Sequence, residues 1–239
     1  MPNAIEFDQV TKTYRPGFFR RQPGVRDVTI AIPEGMTYGL LGPNGSGKTT
    51  IIKLILGLIT PDAGAVRLFG GTPCAALMAR VGYLPELLYY HDFLSPEEIL
   101  RFYGNLYGLS GAALTGRIDE VLALAGLETC RRRRLKTFSK GMLQRLGIAQ
   151  AVISDPDLLI LDEPTMGLDP LGLRDFFRLV GRMKERGKTI VFSSHHLTYA
   201  QQVCDSVAIV DRGSVVYAGR VAAGRPLDDI FAEKVSELP

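Results

Sequence analysis

Residues Gly42-Pro43-Asn44-Gly45-Ser46-Gly47-Lys48-Thr49 fit the pattern G-x-x-x-x-G-K-[ST], a spacing whose chemistry is the cradling of phosphate. The glycines let backbone N–H groups turn inward around phosphate oxygens, and the N-terminus of a following helix adds positive potential. In that arrangement the Lys48 ammonium reaches the β and γ phosphates, the Thr49 hydroxyl ligates Mg²⁺, and Thr50 closes the binding stretch. A second segment, Asp157-Leu158-Leu159-Ile160-Leu161-Asp162-Glu163, is an apolar run ending in two carboxylates. If the run is a strand of a parallel sheet, the acids emerge at its C-terminal edge, where such sheets hold ligands. Asp162 then suits the Mg²⁺ shell, and Glu163, pointing the other way from its neighbour, is the candidate to orient and deprotonate an attacking water during phosphoryl transfer. An Asp-Glu pair alone is more often a cap or a turn; the phosphate loop in the same chain favours the functional reading.

These groups need a scaffold, and the surrounding pattern supplies one. Short strand-like runs occupy Ala4 to Phe7, Val28 to Ile32, Thr37 to Leu41 and Ala65 to Phe69, with Pro61-Asp62-Ala63-Gly64 as a turn. From Gly47 to Leu58 the apolar Ile51, Ile52, Leu54, Ile55 and Leu58 recur at helical spacing, so a helix follows directly on the glycine loop. Ser95-Pro96-Glu97-Glu98 places a capping serine, a first-turn proline and a reciprocating glutamate at a helix start, opening a helical stretch to about residue 147. Beyond it come a strand Leu158 to Leu161, a helix Pro170 to Arg186 stopped by Gly187 and burying Leu173, Phe176, Phe177, Val180 and Met183, a strand Thr189 to Ser193, and a hairpin from Val207 to Gly219. Strands alternating with helices predict a mainly parallel sheet covered on both faces. The tail after Arg220 carries no assignable pattern.

Further along the chain, Phe138-Ser139-Lys140-Gly141-Met142 followed by Gln144 and Arg145 resembles the signature sequence of ABC ATPases, usually written LSGGQ, in an S-K-G-M variant. Gly167-Leu168-Asp169 is similar to that family's D-loop, Ser193-Ser194-His195 to its switch histidine, and Tyr14 in Thr11-Lys12-Thr13-Tyr14 to the aromatic that stacks on adenine. The resemblance covers nearly the whole chain. It implies an α/β fold: a P-loop NTPase with a RecA-like, mainly parallel sheet core, an antiparallel β subdomain and an inserted α-helical subdomain. As a single ABC ATPase domain over 1–239, the core and β subdomain would take about 1–88 and 148–220, the helical subdomain about 89–147, and a short tail 221–239. It also implies ATP and Mg²⁺ as ligands, with Tyr14, residues Gly42 to Thr50, Ser139, Gly141 and Asp169 binding nucleotide, Glu163 and His195 catalytic, and Thr49, Asp162 and Glu86 at the metal. Ser139 can cap a helix whose N–H groups and Gly141 backbone form an anion site, yet the Lys48 loop already holds one ATP. The inference is a second subunit's ATP, sandwiched head to tail, in a homodimer or a heterodimer with a second ABC ATPase.

Several positions depart from the usual family pattern. Glu86, in Tyr83-Leu84-Pro85-Glu86, stands where the Q-loop glutamine is expected; Lys140 and Met142 alter the signature; Tyr199 stands where many relatives have an acid after the switch histidine. These variants resemble bacterial ABC-2-type exporter ATPases, which implies an integral membrane permease as partner, peripheral placement on the cytoplasmic face of the inner membrane, and no nucleic acid. A soluble ABC ATPase of cofactor assembly or nucleic-acid maintenance and an inactive ABC-like subunit are the alternatives.

Composition sets the outer bounds. With 239 residues, 46% hydrophobic and 22% charged, the chain can bury a full core. Its apolar runs, such as Ile51 to Ile59 and Asp157 to Leu161, fall short of the ~20 residues a spanning helix needs. The start MPNAIEFDQV shows no secretory pattern, so the expected location is cytoplasmic. A net charge of +3 does not by itself imply nucleic acid, although Arg131 to Arg134 form a basic run and Arg20 and Arg21 follow Phe18 and Phe19. Cys74, Cys130 and Cys204 lack paired or metal-ligand spacing and are expected to be packing residues, as is His196.

Overall fold

The computed structural model describes residues 2–14, 22–221 and 225–236. In chain order the elements are β1 (Asn3–Tyr14), β2 (Gln22–Pro33), β3 (Thr37–Leu41), α1 (Lys48–Ile55), β4 (Ala63–Leu68), α2 (Ala75–Met78), β5 (Val81–Leu84), α3 (Pro96–Leu106), α4 (Gly111–Ala125), α5 (Lys140–Ala151), β6 (Leu158–Asp162), α6 (Pro170–Glu185), β7 (Thr189–Ser194), α7 (Leu197–Val203), β8 (Ser206–Asp211), β9 (Ser214–Arg220) and α8 (Leu227–Ser236). A six-stranded sheet runs β5-β6-β7-β3-β8-β9, parallel except for the hairpin partner β9, and a three-stranded antiparallel sheet runs β2-β1-β4.

Period-two alternation along the central strands sorts their side chains between two cores. On one face Leu40, Leu158, Ile160, Val191, Ala208 and Val210 meet α1, which is buried through Ile51, Ile52, Leu54 and Ile55, and beyond it the antiparallel sheet. On the other face Leu41, Leu159, Leu161, Ile190, Phe192, Val207 and Ile209 join the cluster formed by α3 to α8. Because both faces are covered, β3, β6, β7 and β8 read as continuous apolar runs. The helix carrying the phosphate loop is thereby clamped between two sheets.

Local signals settle the element ends. Ser95 accepts from the Glu98 amide while Glu98 Oε2 accepts from the Ser95 N–H at 2.8 Å, the reciprocal box expected at the start of α3. The helix after the phosphate loop stops at Ile55 rather than Leu58, turned by Gly57 at φ +65°. The fourth strand begins at Ala63, inside the expected turn, and ends before Phe69, whose φ is +49°. On α6 the buried set is Gly172, Phe176, Leu179, Val180 and Met183, with Leu173 and Phe177 only half-buried.

Four expectations need correcting or completing. The tail after Arg220 forms α8, whose Leu227 and Ile230 are buried against the core and whose Leu227 N–H donates to Gln201 Oε1 at 2.8 Å. Cys204 alone of the three cysteines is buried, its thiol pushed up to about 12 by burial; Cys130 is half-buried and Cys74 exposed, since α2 is too short to carry a buried face. His196 is exposed and not a core residue, because it stands at the N-cap of α7 just past the strand end. The basic run mainly tethers the helical region. Arg131 reaches Glu97 at 3.0 Å and Asp119 at 2.9 Å, Arg133 donates to Thr137, Arg134 pairs with Glu98 at 3.2 Å, and Arg132 is exposed. The cluster at residues 18–21 lies outside the described residues.

Candidate nucleotide site

The C-terminal ends of β3, β6 and β7 open into a cavity of about 520 Å³ lined by Tyr14, Gly24, Asn44 to Thr50, Glu86, Asp162, Glu163, Met166 and His195. Its floor is the loop between β3 and α1. Gly42 has φ +153°, and a Cβ there would stand 2.1 Å from the Val210 carbonyl oxygen; Gly47 has φ +114°, and a Cβ there would stand 2.8 Å from Gly24 O. Both positions therefore demand glycine, for left-handed backbone and for close approach. Gly42 and Pro43 do not line the cavity; their carbonyl oxygens accept from Lys48 Nζ at 2.7 and 3.1 Å and so aim its ammonium.

The acids arrive by a different route from the one expected. Simple alternation would turn Asp162 and Glu163 to opposite faces, yet both line the cavity. The strand ends at Asp162, and Glu163 adopts φ +47°, a left-handed conformation costing ~1–3 kcal/mol for a non-glycine residue. Neighbouring bonds hold it there. The Glu163 N–H donates to Ser193 Oγ at 2.9 Å, Ser193 Oγ donates to Asp162 Oδ1 at 2.6 Å, and Gln144 Nε2 donates to Pro164 O at 3.0 Å. Glu163 Oε2 meets His195 Nδ1 at 3.0 Å, and its Oε1 stands 3.8 Å from Lys48 Nζ as an ion pair between two buried side chains.

Burial, opposed by the charges of Glu163, Asp162 and Glu86, lowers the pKa of Lys48. Asp162 is pushed up, first by burial; the Ser193 hydrogen bond counters this, while Glu86 and Glu163 add to it. Three carboxylates thus share the cavity with one ammonium. Of the groups lining the cavity, Glu163 Oε1 and Ser46 Oγ are buried without a hydrogen-bond partner, as groups awaiting a polar ligand would be. Among the described residues no three His, Cys, Asp or Glu side chains stand close enough to hold a metal ion by themselves. The oxygens of Thr49, Asp162 and Glu86 nonetheless share one cavity and suit a hard cation completed by phosphate oxygens and water.

Three residues assigned to nucleotide lie elsewhere. Ser139, exposed, caps α5 by accepting from the Met142 N–H at 3.3 Å, and neither it nor Gly141 lines the cavity. Asp169 caps α6, accepting from the Gly172 N–H at 2.7 Å. Tyr14 stands at the cavity edge, its hydroxyl 3.4 Å from Thr50 Oγ1. Residues not singled out in the sequence also take part. The ring of Tyr14 lies over Gly24, where a Cβ would meet it at 2.6 Å. Gly213, in the β8–β9 turn, donates its N–H to Ser46 O at 2.8 Å and accepts from the Arg26 N–H at 2.7 Å, tying the phosphate loop to β2. Met166 lines the cavity from the turn after Glu163; its place between the acid pair and Gly167 was the available signal.

A phosphate loop after the first core-sheet strand, with acids at the end of a neighbouring parallel strand, defines a P-loop NTPase. More narrowly, the chain belongs to the ABC transporter family, whose model matches residues 25–166. It is 42% identical over 226 residues to an uncharacterized ABC transporter ATP-binding protein of Synechocystis, covering 92% of this chain and 64% of that relative. It is 36% identical over 231 residues to Nod factor export ATP-binding protein I of Paraburkholderia xenovorans, covering 93% of this chain and 73% of the relative. The solved ATP-binding subunit of an ABC transporter superposes with a TM-score of 0.87 at 32% identity, over 97% of this chain and 99% of the other. A bacterial ABC transporter cassette solved as a dimer gives 0.82 at 25% identity, over 92% and 99%. These matches establish the ABC ATPase cassette fold.

Proposed function

We propose that this chain is the ATP-binding and ATP-hydrolysing subunit of an ABC transporter of exporter type. In this reading it works as a head-to-tail dimer on the cytoplasmic face of the membrane, coupled to a separate integral permease. The observation that carries the ATPase reading is the convergence of Lys48, Asp162, Glu163 and His195 on the cavity floored by the glycine loop. Lys48, aimed by two loop carbonyls, is the cation for the β and γ phosphates. Glu163 Oε1, buried and without a hydrogen-bond donor, is the acceptor for the proton of an attacking water. His195, bonded to Glu163 Oε2, stands beside the γ phosphate. Tyr14 offers its ring to adenine. Mg²⁺, held by Thr49, Asp162 and Glu86, would neutralise charge on the phosphates in a cavity already rich in carboxylates. The other half of each site is Ser139 and Gly141 of a second subunit, at the exposed start of α5, with Asp169 in the D-loop beside them. The division into a core with β subdomain and a helical subdomain at about 89–147, the surface for a permease, belongs to the same reading, supported by an export ATPase among the relatives.

Glu163→Gln tests the chemistry. Steady-state hydrolysis is expected to fall by ~10²–10⁴-fold, while ATP without turnover holds a stable dimer visible by size-exclusion chromatography; normal turnover sinks the role of Glu163. Transport is tested by tagged purification from gently solubilised native membranes with mass spectrometry. A multi-span membrane protein in stoichiometric amount supports it, whereas a soluble assembly factor or nucleic acid overturns it and leaves the ATPase standing.

A further inference from the structure

The His195 ring is held from two directions. Glu163 Oε2 binds its Nδ1 edge at 3.0 Å, and the ring of His196 covers one face, with centroids 4.0 Å apart and planes at 41°. His196 is backed by Tyr199 at 5.3 Å, and Tyr199 by Phe177 at 5.8 Å in an edge-on contact. Phe177 in turn lies 5.7 Å from Phe176, which is fully buried in the core. A row of rings thus runs from the cavity to the fixed interior.

We propose that His196 and Tyr199 are positioning residues for the hydrolytic step, their tilted, closely packed rings fixing the orientation of the His195 imidazole toward the γ phosphate. The inference rests on the role given to His195 above. Two features support it. The His195 side chain is 37% exposed, so the single bond to Glu163 leaves the ring free to pivot about that contact unless its face is also covered. His196 cannot be explained as core, being exposed at the N-cap of α7, where its own N–H donates to Ser194 Oγ at 2.9 Å. Aromatic pairs at centroid separations of 4.5–7 Å are mutually attractive; His196 and Tyr199 at 5.3 Å lie in that range, while His195 and His196 are in closer van der Waals contact at 4.0 Å. The chain also departs from the common family pattern here, with Tyr199 in place of an acid. An acid there could not stack on His196, so Tyr199 and His196 act as a unit.

The test compares His196→Ala, His196→Phe, Tyr199→Glu, Tyr199→Phe and His195→Ala, each checked for unchanged melting temperature. His196→Ala and Tyr199→Glu are expected to lower kcat about tenfold, a misplaced-group effect, with KM for ATP within about twofold because the rings touch neither adenine nor the phosphate loop. His196→Phe and Tyr199→Phe, which keep the rings, should restore turnover. In ¹³C-histidine-labelled protein, the upfield ring-current shift of the His195 ring protons should vanish in His196→Ala and persist in His196→Phe. Wild-type turnover in His196→Ala, or failure of His196→Phe to rescue, overturns the proposal. Full turnover in His195→Ala instead defeats the reading of the site on which it rests.

Discussion

In the proposed reading the cavity beside Lys48 and the start of α5 beside Ser139 both receive phosphate, but they are built differently. At the cavity, groups from β1, β2, the phosphate loop and the ends of β5, β6 and β7 converge, and two polar atoms, Ser46 Oγ and Glu163 Oε1, remain buried without hydrogen-bond partners. At α5, two residues stand at one helix start, where the exposed Ser139 side chain, among the described residues, caps its own helix. A pocket assembled from six segments can hold a ligand unaided. An exposed helix N-terminus offers a few N–H groups facing water and gains affinity only when something presents an anion to it. The contrast teaches that, in the proposed reading, the chain carries one nearly complete site and one fragment of another, linked inside the subunit. The stem of Lys140 lies across Gly167, whose Cβ position would be 2.8 Å from Lys140 Cδ, and Gln144 on α5 bonds Pro164 O next to Glu163.

The largest expected effect breaks that comparison directly. Lys48→Ala removes the phosphate cation. Gly141→Asp puts a carboxylate at the fragment, with ordinary space for its Cβ, 3.5 Å from Gly167 O. Either homodimer should be inactive. Mixed in equal amounts and allowed to exchange subunits, the two variants form heterodimers in which one composite site has both Lys48 and Gly141 intact. Random pairing into two-fold dimers makes half the molecules mixed, each with one good site, so hydrolysis should return to roughly a quarter of wild type. No recovery, with mixed dimers shown to form, defeats the head-to-tail arrangement.

Much of this was legible in the sequence because it is local. The phosphate loop and the Leu158 to Asp162 strand are contiguous motifs whose spacing fixes their geometry, and the alternation of strands with helices predicted the parallel sheet. The signature segment was recognisable, but only by family resemblance. What escaped reading depends on contacts between distant segments. Gly24, in β2, and Gly213, in the β8–β9 turn, are locally unremarkable and matter because these segments press against the phosphate loop. Glu163 was expected to point away from Asp162 and instead turns back through a positive φ that no periodicity encodes. The tail after Arg220 does carry Leu227, Ile230, Phe231 and Val235 at helical spacing, a short signal that was passed over, and α8 is stabilised by what Leu227 and Ile230 meet.

A moderate effect sharpens the account of the cavity. Gly213 has φ +84°, and an added Cβ would stand 3.1 Å from Gly24 O and 3.3 Å from Val25 Cα, so Gly213→Ala must shift the turn that holds Ser46. Affinity for a fluorescent ATP analogue should fall about tenfold, equivalent to 1.4 kcal/mol. Gly70→Ala is the matched control: φ is +77°, nothing lies within 4 Å, and the turn is remote from the cavity lining. It should cost stability through backbone strain and leave affinity unchanged. Equal affinity in the two variants would remove the β8–β9 turn from the site.

The smallest effect separates capping from ligand binding, since Ser95 and Ser139 do the same structural work at two helix starts. Ser95 is buried and makes the reciprocal bonds with Glu98, so Ser95→Ala should destabilise the fold by about 1 kcal/mol in urea unfolding while leaving hydrolysis per folded molecule unchanged. Its pH dependence has a definite sign. Hydrogen bonds from Ser95 hold the Glu98 carboxyl below the usual carboxylate range. The stability this confers is present above the unfolded pKa of glutamate and is lost as pH falls through the folded value. The difference between wild type and Ser95→Ala should therefore shrink on acidification. Ser139→Ala, at an exposed cap without a reciprocal carboxylate, should cost less stability yet lower hydrolysis, because it also removes a donor from the fragment offered to the second subunit. Were the two alanine variants to behave alike in both assays, Ser139 would be a cap and nothing more, and α5 would lose its claim to the partner's nucleotide.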